Sequence, residues 1–153
     1  MTPAAWVAAL SAREIGASGN ADEPAAPPTL LVLGEADFAA AVKRALRDLT
    51  RADPLRDNPL LRSRLVRARA GEDAAPAKRV QALQEIVREA ANLSGSPGDR
   101  RIARVLYRAY LSPAPTLARA AEVLELPSST FRRLLTSGVA RVVSTLWLRE
   151  LDG

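Results

Sequence analysis

The 153-residue chain contains no cysteine and no histidine, and only 4% of its residues are aromatic. Without cysteine the chain has no disulfide bonds and no thiolate chemistry. Without histidine it lacks the commonest metal ligand and the side chain best suited to proton transfer near neutral pH. Its carboxylates, serines and lysines stand at no recognisable catalytic spacing. We therefore expect a protein that is not an enzyme and that binds no cofactor or metal.

Long apolar runs are also missing. None approaches the 18 residues that a membrane-spanning helix needs. The first residues lack the basic segment of a signal peptide, and Arg13 and Glu14 end their apolar stretch early. The sequence therefore predicts a cytoplasmic protein without a membrane partner. Because hydrophobic residues make up 48% of the chain and few are aromatic, we expect a core of Leu, Val and Ala, which pack well between helices.

Basic residues outnumber acidic ones, 22 to 17, which gives a formal charge of +5. All of the basic residues except Lys43 and Lys78 are arginines. A positive charge of this size is compatible with a polyanionic partner. An arginine- and alanine-rich composition also follows from a GC-rich genome, so charge alone favours nucleic-acid binding only modestly.

Apolar residues recur at helical spacing along most of the chain. Before the turn-forming segment 94–99, this pattern predicts helices at about 35–52, 59–70 and 76–93, with Asn58 as the cap of the second. We therefore predict an all-α fold, a helical bundle ending in a helix-turn-helix. The expected parts of the chain are a flexible segment at 1–29, a helical subdomain at 30–95 and a helix-turn-helix domain at 96–153.

The last part divides into three predicted helices. Asp99 is the expected cap of the first, Thr116 of a short second helix, and Ser128 or Ser129 of a long third one. At about 100° per residue, the third helix places its apolar residues on one face and a polar, arginine-bearing surface on the other. A short helix, a tight turn and such a helix make up a helix-turn-helix, whose second helix enters the DNA major groove.

Arginine can fork onto guanine, and serine or threonine can hydrogen-bond to bases or phosphates. The same residues can also be read as a cap cluster and a solvated helix face. The candidate DNA contacts are Thr116, Arg119, Ser128, Ser129, Thr130, Arg132, Arg133 and Thr136. Further back, Arg100, Arg101 and Arg104 are either phosphate contacts or solvated charges.

The run TLARAAEVLELPSSTFRRLLTSGVARVVSTL at 116–146 resembles region four of bacterial sigma factors and related helix-turn-helix regulators. The preceding RRIARVLYRAYL at 100–111 is similar to the helix that leads into the motif in that family, so the resemblance covers about 50 residues. It implies a module that reads promoter DNA and can contact RNA polymerase or regulators. Glu125 stands where the family usually has a turn glycine, and a non-glycine residue with positive φ costs about 1 kcal/mol, which favours a reshaped turn. Leu134 and Ser137 stand where such sequences often carry polar or basic residues.

A second resemblance extends from Asp37 onward. The runs NPLLRSRLV and LWLREL look like parts of helical tail modules in bacterial multidomain regulators, including NTPase signalling proteins. Two functions from different classes follow. One is a bacterial transcriptional regulator that binds double-stranded DNA. The other is a non-enzymatic protein-interaction module that acts with a larger regulator or signalling ATPase, without reading DNA.

Trp147 bears on this choice. By angle it lies on the side of the last helix that points away from Phe131. Either the earlier helices cover it, or it belongs to an apolar patch for a partner or for a second copy in a homodimer.

Overall fold

The computed structural model describes residues 32–152, and the predicted flexible segment at 1–29 lies outside them. Within the described residues every regular element is helical and no strand occurs, which confirms the all-α class. A 3₁₀ turn at Pro59–Arg62 precedes α3, and a π-helical turn at Tyr107–Leu111 continues α5. The α-helices are α1 Glu35–Arg47, α2 Ala52–Leu55, α3 Arg64–Ala70, α4 Pro76–Ala91, α5 Pro97–Leu106, α6 Leu117–Val123 and α7 Ser128–Asp152.

None of the helices between residues 32 and 152 is long and apolar enough to cross a membrane.

The apolar residues whose helical spacing indicated α1 and α4 form much of the core. Acidic residues at the start of α1 and basic ones at its end also suit the helix dipole. The apolar residues with this spacing are buried: Phe38, Val42, Ala45 and Leu46 on α1, Leu49 just past its end, and Val80, Leu83, Ile86, Val87 and Ala90 on α4.

The predicted helix at 59–70 is divided in two. Asn58 caps its first part, because its side chain accepts a hydrogen bond from the Leu60 N–H. Ser63 then adopts an extended conformation and caps α3 through Val66 N–H. The Asn58 amide also donates to the carbonyl of Ala41, 3.0 Å away, so the 3₁₀ turn is tied to α1.

The buried residues on both sides of the turn at 94–99 belong to one hydrophobic core. Ser96, not Asp99, caps α5, since its hydroxyl accepts from the Asp99 N–H at 3.1 Å. The Asp99 carboxylate instead pairs with Arg141 of α7 at 3.0 Å. Ser96 and Asp99 have the spacing of a capping box, in which the serine is the cap and the residue three positions later lies in the first turn.

Trp147 of α7 packs edge-on against Phe38 of α1, with ring centroids 5.2 Å apart. Aromatic pairs favour such edge-to-face geometry. Trp147 is half-buried as a result, so the earlier helices cover much of its ring.

Candidate nucleic-acid interface

Thr116 caps helix α6, as predicted. The Thr116 hydroxyl oxygen accepts a hydrogen bond from the Arg119 N–H at 3.0 Å. Ala120 and Ala121 are buried on its inner face, and their small side chains let the short helix lie close to the core. Thr116 is thus engaged as a cap, although the residue itself is exposed.

Four residues, 124–127, connect α6 to α7. Glu125 has a φ of 57°, the left-handed conformation that usually requires glycine. Its N–H donates to the carbonyl of Glu122, and the next N–H, from Leu126, donates to the carbonyl of Ala121, both at 2.9 Å. This is the Schellman pattern. The missing glycine has therefore not reshaped this turn; Glu125 takes the glycine conformation.

Helix α7 starts at Ser128 itself. The carbonyl of Pro127 accepts from the Phe131 N–H at 2.9 Å, so Pro127 holds the capping position predicted for Ser128 or Ser129. The two serines lie in the first turn and are exposed, which leaves their hydroxyls toward solvent.

The inner face of α7 packs against α5 at unusually short range. A Cβ on Gly138 would lie 2.8 Å from Ile102 Cγ2 and 3.0 Å from Leu106 Cγ. Only glycine allows this approach. Phe131, Leu134 and Val142 are buried on the same face, so Leu134 belongs to the core and not to the polar surface.

The polar surface of α7 forms as the helical angles predict. Thr130 is half-buried at its edge. The other candidate contacts on this helix are all exposed: Ser128, Ser129, Arg132, Arg133 and Thr136. Arg132 also borders a small depression whose other wall is Leu117 and Ala118 of α6. The structure therefore brings six of the eight candidates to one end of α7.

The free cations of this surface are Arg132 and Arg133, because neither makes an ion pair with another residue between 32 and 152. Arg119 is different: its guanidinium lies 2.9 Å from the Glu122 carboxylate, which offsets its charge. We infer that Arg119 is the weakest of the candidate contacts.

Two further features could not be read from the sequence pattern. The side chains of Arg101 and Arg104 on α5 border a depression with Val123–Leu126, next to the α6–α7 connection. On another side, Leu135, Val139 and Val143 of α7 line an apolar groove of about 470 Å³ with Tyr110 from the π-helical turn. Burial raises the pKa of the Tyr110 phenol. Both features depend on how helices cross, which residue spacing does not specify.

No group of three acidic side chains that could bind a metal ion is found within residues 32–152. No protein-family model, no curated protein and no solved structure matches the chain significantly.

Proposed function

We propose that the chain is a cytoplasmic bacterial transcriptional regulator that binds double-stranded DNA through a helix-turn-helix formed by α6 and α7, similar to region four of sigma factors. The observation that supports this proposal most is the position of Arg132 and Arg133, which are exposed and make no ion pair with any residue from 32 to 152. They lie in the first two turns of a helix that follows a capped short helix and a Schellman turn. In such modules the first residues of the second helix contact base edges, and an exposed arginine there can pair with guanine.

Six of the eight candidate residues have a role in this proposal. Arg133 inserts into the major groove and makes a bidentate hydrogen bond to a guanine. Arg132 contacts a base or a flanking phosphate. The exposed hydroxyls of Ser129 and Thr136 hydrogen-bond to base edges or phosphates. Thr116 and Arg119 lie at the start of α6, the helix that crosses the backbone in such modules.

The experiment is selection of bound sequences from a random pool of duplexes by the purified chain. We expect one enriched sequence, and we expect Arg133→Ala to lose the preference for a guanine within it. Arg88→Ala is the matched control, because Arg88 is an exposed arginine of α4, a helix that carries none of the candidate contacts. If the wild-type chain enriches no sequence over the Arg132→Ala/Arg133→Ala variant, the proposal fails.

The apolar groove favours a second candidate function, a non-enzymatic protein-interaction module that acts with a larger regulator or signalling ATPase, without reading DNA. Trp147 is partly covered by Phe38, whereas the half-buried side chains of Val139 and Val143 line the open apolar groove. A photo-crosslinker at Val139 would join the chain to one larger regulator in cells, whereas a crosslinker at Arg88 would not. If the chain selects a DNA sequence but gives no such crosslink, the second function is rejected and only the first remains.

A further inference from the structure

Two arginines of α5 lie beside the connection that leads into α7. Arg101 and Arg104 are exposed and line one depression together with Val123–Leu126. Neither makes an ion pair with a residue between 32 and 152. Glu125 borders the same depression without pairing with either of them. Two cations are thus held close together with no internal neutralising partner.

These cations have a fixed position relative to α7. Gly138 allows α5 and α7 to pack at Ile102 and Leu106, where no side chain could be inserted. The ion pair between Arg141 and Asp99 joins the same two helices near the start of α5. Because both links are direct, the part of α5 that carries Arg101 and Arg104 is packed against α7.

The depression that these arginines line lies beside the start of α7, the helix that carries the proposed reading residues. The depression ends at Leu126, two residues before α7 starts, and Arg133 lies about 8 Å further along the α7 axis at 1.5 Å per residue. The major groove that α7 would enter is about 12 Å wide and is bordered by a phosphate backbone on each side. A group beside the start of the inserted helix therefore falls near one of those backbones.

We propose that Arg101 and Arg104 form a phosphate clamp that holds one backbone strand of the duplex while α7 reads the bases. This inference rests on the proposed function. It assigns to α5 a contact that fixes register and contributes affinity, without sequence preference. The carboxylate of Glu125, at the border of the clamp, repels the same phosphates and weakens binding.

The test measures the affinity of the selected duplex by fluorescence anisotropy between about 50 and 300 mM salt. Each neutralised phosphate contributes about 0.9 to the slope of log K against log salt. The double variant Arg101→Ala/Arg104→Ala should therefore show a slope shallower by about 2 and weaker binding at low salt. Its ratio of specific to non-specific affinity should be unchanged.

Three further variants make the result specific. Arg56→Ala/Arg88→Ala removes the same charge from exposed residues elsewhere and should leave the slope almost unchanged. Arg101→Lys/Arg104→Lys keeps the charges and should restore most of the slope. Glu125→Gln should bind more tightly than the wild type.

Several outcomes would overturn the clamp. An unchanged slope in the double alanine variant, or an equal change in the control pair, shows that no local phosphate contact exists. A reduced specificity ratio shows that these arginines read bases. If the wild type binds duplex and only the clamp result fails, the proposed function stands; if it binds no duplex, both are wrong.

Discussion

The carboxylate of Glu150, near the end of α7, accepts a hydrogen bond from the backbone N–H of Arg64, the first residue of α3, at 3.1 Å. Its other oxygen accepts from the Leu65 N–H at 3.0 Å. Ser63 donates its own N–H to the carbonyl of Leu60, and its side chain accepts from Val66 N–H. All four N–H groups that the start of a helix leaves unpaired are therefore satisfied, two of them by a residue 85 or more positions away.

We expect Glu150→Gln to destabilise the fold by about 2 kcal/mol, since hydrogen bonds to a charged group are worth about 1.5–3 kcal/mol. Glutamine can accept at only one oxygen, and its amide would face the second N–H. The measurement is urea denaturation. Asp152→Asn is the control, because Asp152 is exposed and its substitution removes the same charge from the same helix. Equal midpoint shifts in the two variants would contradict the capping role.

Much of the helical skeleton is predictable, because local patterns determine it. The stripe from Phe38 to Leu49, the cap at Thr116 and the exposed face of α7 around Arg133 all follow from spacing and side-chain chemistry. The predicted capping position at Asp99 is wrong, because the helix begins three residues earlier and Asp99 lies in the first turn after the Ser96 cap.

The contacts between helices could not be predicted from the sequence. Nothing near Glu150 in the sequence indicates that it caps α3, and Gly138 within a helix does not reveal the side chains that approach it. The depression beside Arg104 depends on the crossing of α5 with the α6–α7 connection. Such contacts depend on helix crossing geometry, which the hydrophobic period does not encode.

Gly138→Ala tests the close packing of α5 and α7. The added methyl group would lie 2.8 Å from Ile102 Cγ2, on a β-branched side chain that cannot rotate away freely. Overpacking costs about 1–3 kcal/mol and alanine regains about 1 kcal/mol of helix propensity, so we expect a net loss of about 1 kcal/mol. Gly138→Val should cost more. Thermal unfolding measures both, with Ser137→Ala as an exposed neighbour that gains propensity without a clash; a stabilised Gly138→Ala would refute the close approach.

Glu125→Gly tests the strain in the α6–α7 connection. A non-glycine residue in the left-handed region costs about 1–2 kcal/mol of folding stability. Glycine removes this strain, but its greater entropy in the unfolded chain offsets part of the gain. We therefore expect the free energy of unfolding to rise by about 0.5–1 kcal/mol. Glu125→Ala removes the carboxylate but keeps the Cβ, and we expect no comparable gain from it. Urea denaturation of the three proteins separates backbone strain from charge. If alanine stabilises as much as glycine, repulsion involving the carboxylate is the cause.

The bidentate pair between Arg69 of α3 and Glu89 of α4 predicts a pH dependence. Both of its nitrogen–oxygen distances are 2.8 Å, and the hydrogen bond from Arg69 lowers the pKa of Glu89 below its ordinary value of 4.5. A lowered folded-state pKa gives stability that is complete above the ordinary pKa and is lost as the pH falls through the folded one. Glu85 and Arg149 also face this pair, and the pair is largely exposed, so its contribution should stay below about 1 kcal/mol.

The measurement is the difference in unfolding free energy between wild type and Glu89→Gln from pH 7 to pH 3. We expect the wild type to be more stable above pH 5 and the difference to shrink as the pH falls below 4.5. Raising the ionic strength should reduce the difference at pH 7, because salt screens exposed charges. A difference that is constant over the whole pH range would mean that the glutamine acts through packing and not through the lost charge.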